Sequence, residues 1–306
     1  MDGKLNITYI TLDGYVDVDK YRYLYFVIMF MSFILIICFN STIVWIIAIH
    51  KNLHEPMYIF IAALLINSAL FSIVIYPKLL INILSEKQVI TYQACLFQWF
   101  VNYSFAGSEY FLLSAMSYDR YVSICKPLQY PMIMRKMTVS MLLVLCWLLP
   151  ACQTTVPVVM SANTNLCIFA LKGISCNSFV FKLQCVTSRL VHIYGLVGMI
   201  AVIICPVLFI CFTYTRIFVI TYRSCREVRK KAAQTCLPHL LVLFHFSSLS
   251  AFDILLARTE VKFPELIRLI IALQAILFHP LFNPVIYGLK MKEIHKHIKS
   301  LFSRNV

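Results

Sequence analysis

The feature that most constrains this chain is a succession of long apolar runs, at 24–49, 57–82, 95–123, 138–158, 190–222, 235–257 and 265–288. Short segments rich in charge or proline separate them. A hydrocarbon core of about 30 Å takes about 20 helical residues to cross, so each run is long enough to span one. Across 306 residues 61% are apolar and 13% charged, whereas a soluble domain is roughly half apolar and about a quarter charged. That balance excludes an ordinary soluble enzyme, and only 7 glycines exclude a collagen-like or flexible chain. The runs predict an all-α membrane protein. Its single domain, 1–306, would be a seven-transmembrane helix bundle over 24–288, with a tail at 1–23 and a cytoplasmic helix and tail at 289–306.

The charges orient the bundle. With the N-terminus outside, the inward loops and tail hold 16 of the 27 Lys and Arg residues and four acids, which is +12 of the net +14. Positive residues stay cytoplasmic, so this asymmetry predicts a plasma-membrane protein with its N-terminus extracellular and its C-terminus cytoplasmic. The same scatter between apolar runs, with no single basic face, argues against nucleic acid as a partner. The first 23 residues lack a basic start followed by a short apolar core, so the first span is expected to act as its own anchor.

Two features agree with that topology. Asn6-Ile7-Thr8 is a glycosylation sequon in the outward tail, while Asn40-Ser41-Thr42 and Asn102-Tyr103-Ser104 fall inside spans. Of 12 cysteines, Cys95, Cys167, Cys176 and Cys185 lie on the outward, oxidising side, where they allow three pairings. The other eight read as small apolar filler. After the last span, Ile294, Ile298, Leu301 and Phe302 recur at helical spacing opposite lysines, which predicts a short amphipathic helix on the membrane lipid surface.

At the inner end of the third span stands Met116-Ser-Tyr-Asp119-Arg120-Tyr121-Val-Ser-Ile-Cys125-Lys-Pro127-Leu-Gln-Tyr130. An Asp beside an Arg at the membrane boundary can hold the Arg still, and its release would present five donors to a partner; an isolated Arg there would instead snorkel to lipid phosphate. Other stretches stand at matching places: Leu53-His-Glu-Pro56-Met57-Tyr58, Lys231-Ala-Ala-Gln-Thr235-Cys236-Leu-Pro-His239-Leu, and Pro280-Leu-Phe-Asn283-Pro284-Val-Ile-Tyr287. A long second outer loop carries three cysteines. Taken together, in order and over nearly the whole chain, these resemble the vertebrate odorant (olfactory) receptor family of rhodopsin-like G-protein-coupled receptors.

The resemblance implies an outward pocket for a small odorant and a cytoplasmic face that activates a heterotrimeric stimulatory olfactory G protein and raises cyclic AMP. It implies the pairings Cys95–Cys176 and Cys167–Cys185. It gives Asp119, Arg120, Tyr121, Tyr214, His239, Asn283, Pro284 and Tyr287 to coupling and switching, with the basic loop at 223–231 and the helix from Lys290 to Lys299 facing the G protein. Two departures stand out. Where the family has Asp in the second span this chain reads Asn67-Ser68, and where it has Phe-Tyr in the sixth it reads Phe246-Ser247, which leaves Phe246, His245 or Phe252 as the moving aromatic.

Asn40, Ser68, Glu109 and Asn283 fall at mid-span depth, with Glu109 roughly 16 Å from Arg120 along its helix. A carboxylate there costs about 2.5 to 3.5 kcal/mol, so it must be protonated, ion-bound or paired. Relatives hold sodium between two such carboxylates. The loss of one argues against sodium at Glu109 and for no cofactor, leaving a switch or plain interhelical hydrogen bonding open.

Helical arithmetic places the ligand contacts at Asn102 and Tyr103, about 26 Å from Arg120 on the third span, and at Ala106 and Gly107 one turn inward. Facing them are Thr154, Gly195, Gly198, Met199, Ser250, Ile254 and Arg258, with the glycines leaving room, an apolar cavity with a few polar points. Arg258, about 28 Å beyond His239, stands where it could clamp a carboxylate or pair with Glu260 or Asp253. Its position resembles the acid site of the fish-like branch tuned to polar, water-borne odorants. The histidines do not form a metal set, and no nucleophile elbow, phosphate loop or HExxH is present, so no enzyme is expected. The competing readings are a receptor of the same family for a metabolite outside olfactory tissue, and a transporter or channel, which the unlike halves of the chain disfavour.

Overall fold

The computed structural model describes residues 8–15, 18–162, 164–185, 189–222, 226–258 and 264–303, with the side chains at 18, 178, 192, 228, 229, 231, 232, 234, 235, 253–258 and 301–303 outside the description. Its long helices are α1 (Val18–Ile49), α2 (Pro56–Leu84), α3 (Tyr92–Cys125), α4 (Lys136–Ala162), α5 (Arg189–Tyr222), α6 (Arg226–Arg258) and α7 (Glu265–Lys290), and α8 (Lys292–Ser303) closes the chain. The elements overrun the apolar runs at most ends, because each helix continues past the hydrocarbon-length core until a cap or proline stops it. Pro56 starts α2 at a position where its missing N–H is no loss, and the Thr91 hydroxyl caps α3 by accepting from Ala94 N–H at 3.3 Å. At the other end, two thirds of the predicted basic loop at 223–231 is helix: α6 begins at Arg226, and Arg223 to Cys225 lie outside the described residues.

Among the described residues five helices are long and apolar enough to cross a membrane by length and composition: α1, α2, α4, α5 and α7. The polar helices are α3 and α6. In α3 the polar side chains point inward, with Gln98, Ser104, Ser108, Glu109, Ser117 and Asp119 all buried, and the helix is packed against α2, α4, α5 and α6. Protein, not lipid, is its solvent. The apolar side chains that do face outward, such as Trp45, Leu208 and Phe244, belong to the outer faces of α1, α5 and α6.

Prolines bend this bundle, and their orphaned carbonyls find side-chain donors. A proline cannot donate to the carbonyl four residues back, and its ring crowds that oxygen. Both π-helical segments, Ile200–Ile204 in α5 and Gln274–Phe278 in α7, end two residues before a proline, Pro206 and Pro280. Pro280 thus leaves the Ile276 carbonyl free, and Tyr76 donates its hydroxyl to it at 3.2 Å. Pro284 likewise frees the Pro280 carbonyl, which accepts from Asn40 Nδ2 at 3.1 Å. Asn40 is thereby a tie between α1 and α7 and fully buried.

The all-α expectation missed a small sheet at one end. Strand β1 (Tyr9–Leu12) pairs antiparallel with β2 (Val89–Thr91), in register Ile10 with Ile90, and parallel with β3 (Ala170–Leu171). Ile10, Ile90 and Leu171 pack with Cys95, Trp99 and Cys176 in a separate apolar cluster, so the tail after Thr8 is tied down. Disulfides Cys95–Cys176 and Cys167–Cys185 hold the loop that carries β3 over this end. At the opposite end α8 docks on the bundle through Ile294, fully buried, and Ile298, rather than lying wholly on a lipid surface. Gly288 makes room for it: a Cβ there would stand 3.3 Å from Ile298 and 3.4 Å from Ile43.

Candidate functional site

A cavity of about 340 Å³ opens beneath the disulfide-bonded loop and runs inward between α2, α3, α4, α5, α6 and α7. The structure brings together in its wall Asn102, Tyr103, Ala106, Gly107, Thr154, Gly195, Gly198, Met199 and Ser250. The side chains of Ile254 and Arg258 lie outside the described residues, as does Asn6. Two of the glycines serve packing instead of leaving room. A Cβ on Gly198 would stand 1.8 Å from Gln153 Nε2, so the Gln153 amide occupies that space, held by Tyr194, whose hydroxyl donates to Gln153 Oε1 at 3.0 Å. Gly107 lets α3 approach α4, with Pro150 Cβ only 2.6 Å from where its own Cβ would be.

The floor of the cavity is polar. Glu109 is 3% exposed and both its oxygens are engaged: Oε2 by His279 Nε2 at 2.6 Å and Oε1 by Asn283 Nδ2 at 3.0 Å. Asn283 Nδ2 also donates to Ser68 Oγ at 3.0 Å. Of the roles open to a deep carboxylate, the geometry is that of a paired one, and the partner is His279, one of the histidines that form no metal set. The signal was present in the sequence, since His279 stands one helical turn before Asn283 and so shares its face. Asn67 is used elsewhere, accepting from Trp147 Nε1 at 3.1 Å and donating to the Phe105 carbonyl at 3.0 Å. Phe246 takes the aromatic position on this floor: its ring centroid lies 4.5 Å from that of His279 and 4.7 Å from that of Tyr110. His245 sits behind, its centroid 4.5 Å from that of Phe282.

At the far end Arg120 is held by its neighbour. Its Nε donates to Asp119 Oδ2 at 2.9 Å, its Nη2 bonds the same oxygen, and the Tyr130 hydroxyl donates to Asp119 Oδ1 at 2.8 Å. Burial first, then the Asp119 charge, pushes the Tyr130 phenol well above its usual range, which keeps its proton available for that bond. Tyr121 packs on the main core, Tyr214 and Tyr287 are buried in it, and the Tyr287 hydroxyl lies 3.5 Å from His239 Nδ1. Pro284 is buried within α7 between the floor and this end. One helix, α7, thus carries both His279 and Tyr287, linking cavity and arginine.

Among the described residues seven long helices, a loop disulfide-bonded to the third, an inward cavity and an Asp–Arg pair at the far end make up a rhodopsin-like fold: the crystal structure of squid rhodopsin aligns with a TM-score of 0.71 over 94% of this chain and 87% of that one, at 20% identity. Residues 27–305 match the family model described as olfactory receptor. Human olfactory receptor 10A6 is 32% identical over 284 residues, 92% of this chain and 90% of its own length, and human olfactory receptor 10A3 is 33% identical over 270 residues, covering 87% and 85%. The chain belongs to the olfactory receptor family. It is a multi-pass plasma-membrane protein of a class of signalling receptors that bind odorants and couple to G proteins, and not an enzyme.

Proposed function

We propose that this receptor binds a small polar or acidic odorant in the cavity beneath the disulfide-bonded loop and activates a stimulatory olfactory G protein, raising cyclic AMP. The observation that carries the reading is the continuity of the cavity with the Glu109–His279–Asn283 floor. A ligand that fills the cavity presses on Phe246 and His279, and α7 conveys any shift to Tyr287 beside His239 and so toward Arg120. The proposed orientation, cavity outward and Arg120 cytoplasmic, rests on +12 of the net +14 lying in the loops and tail at the Arg120 end. The reading extends to the G-protein-facing surface from Arg120 through the 223–231 segment to α8.

The test is a cyclic AMP reporter in cells with and without the stimulatory olfactory G protein, challenged with acids, alcohols, amines and esters. The reading expects dose-dependent cyclic AMP that vanishes without the G protein. Ligand-driven current that persists without any G protein would refute it.

A further inference from the structure

We propose that Arg268 is the anchor for the ligand's acidic group, and that the ligand is a small monocarboxylate with an apolar body. The inference rests on the reading of the cavity as the ligand site and names the chemistry of what fills it. Arg268, Ala272, Ala275 and His279 all line the cavity, and their spacing of four, three and four residues puts them on one face of α7. The stripe therefore runs about 16 Å from a cation at the mouth to the paired floor, with two small residues between. Those alanines leave the width that a hydrocarbon chain needs.

Charge at the two ends differs in one decisive respect. At the floor, each Glu109 oxygen already has a donor, so that carboxylate is spent. At the mouth, among the described residues, Arg268 has Glu265 as its acidic partner, whose oxygen lies 3.8 Å from Nη2, beyond hydrogen-bond reach, on a side chain 72% exposed against 24% for Arg268. An exposed pair at that distance contributes little. Among the described residues Arg268 thus has only this long ion pair, its fork of donors enters a half-closed space, and Lys172 of the overlying loop lines the same cavity. A planar guanidinium of that kind matches a carboxylate bidentately, and shielding from water strengthens the bond. The carboxylate would take the place of Glu265, and the apolar body would run down the alanine stripe.

The experiment uses the full-length receptor in a cyclic AMP reporter, with surface expression measured in parallel. The probes are straight-chain carboxylates of three to nine carbons, each beside the alcohol and the methyl ester of the same length. Arg268→Ala should raise the half-maximal concentration of the acids about tenfold to a hundredfold, the range for one lost charge-assisted bond. Alcohols and esters should be unmoved. Arg268→Lys should recover part of the acid response, and Glu265→Gln, which removes the competing carboxylate, should lower the concentration needed. Unchanged acid responses in Arg268→Ala at equal surface expression would overturn the proposal, as would an equal shift for acids and alcohols, which marks a merely structural role. A wild type that answers alcohols but no acid overturns the ligand class and leaves the receptor reading standing; silence to every probe counts against both.

Discussion

Removing His279 gives the sharpest test of the floor. In the native structure Glu109 is 3% exposed and receives a bond from His279 at 2.6 Å and another from Asn283 at 3.0 Å. His279→Leu keeps an apolar side chain of useful size in the space but strips the shorter bond from a carboxylate that is almost wholly buried. Removing one partner of a buried pair costs about 3 to 5 kcal/mol, most of it the isolated charge left behind. For a chain of this size each kcal/mol moves the midpoint by roughly 2 °C, so the detergent-solubilised receptor should melt about 6 to 10 °C lower. Glu109→Gln alone should cost less, because the amide still accepts from Asn283. The double variant separates burial from pairing: with no carboxylate to strand, adding Glu109→Gln to His279→Leu should recover stability, giving a coupling of about 1 to 3 kcal/mol. Thermal melting by fluorescence-detected size exclusion reads all four proteins. A His279→Leu receptor that melts with wild type, or single losses that simply add in the double, would refute the pairing. Melting of the wild-type receptor should also be unchanged when sodium is replaced with an organic cation, since His279 and Asn283 already engage both Glu109 oxygens.

Three further outcomes follow from particular contacts. Gly198→Ala places a Cβ where Gln153 Nε2 now lies, 1.8 Å away; because the obstacle is the tip of a flexible side chain, surface expression should hold while the rank order of active odorants changes as Gln153 leaves Tyr194. Asn40→Ala leaves the Pro280 carbonyl, already without its helical partner, with no donor, and should cost about 1 to 3 kcal/mol in thermal melting, whereas Asn40→Asp should not restore it because a carboxylate cannot donate. At the opposite end His50 and His297 have ring centroids 3.7 Å apart, and slight burial, then His50 and Lys296, hold His297 below its usual range, against the weaker pull of Glu293. A base with a depressed folded pKa is less stably accommodated as pH falls through its ordinary value near 6.5, so hydrogen exchange across α8, corrected for intrinsic rate, should quicken from pH 7.5 to 5.5, and less so in His297→Gln.

Much of the fold is legible in one dimension because a bilayer imposes a length. Seven apolar runs give seven helices, since run length is a property of neighbouring residues. What lies outside that reach is tertiary in origin. The strand Tyr9–Leu12 has no partner within the tail; it exists because Val89–Thr91 and Ala170–Leu171, held by Cys95–Cys176, present edges to it. Pro206 and Pro280 mark bends, but only the packed bundle reveals that Tyr76 and Asn40 satisfy carbonyls freed around Pro280 and Pro284.

The site divides along the same line. Helical rise counted along each span puts Asn102, Tyr103, Ala106, Thr154 and Ser250 within about a turn or two of one depth, and one cavity contains them. The charges are a different matter, because a charge takes its meaning from what faces it. Glu109 and His279 are separated by 170 residues and meet at 2.6 Å, so one changes from an expensive buried acid to half of a pair. Arg268, in the first turn of α7, gains its meaning only from the cavity beside it and from Glu265 standing beyond hydrogen-bond reach. Both cases follow one rule: a buried or half-buried ionisable group is structural when every atom able to bond is engaged, and available for a ligand when one is not. Glu109 meets the first condition and Arg268 the second, which is why substitution at Glu109 should be read as stability and substitution at Arg268 as ligand choice.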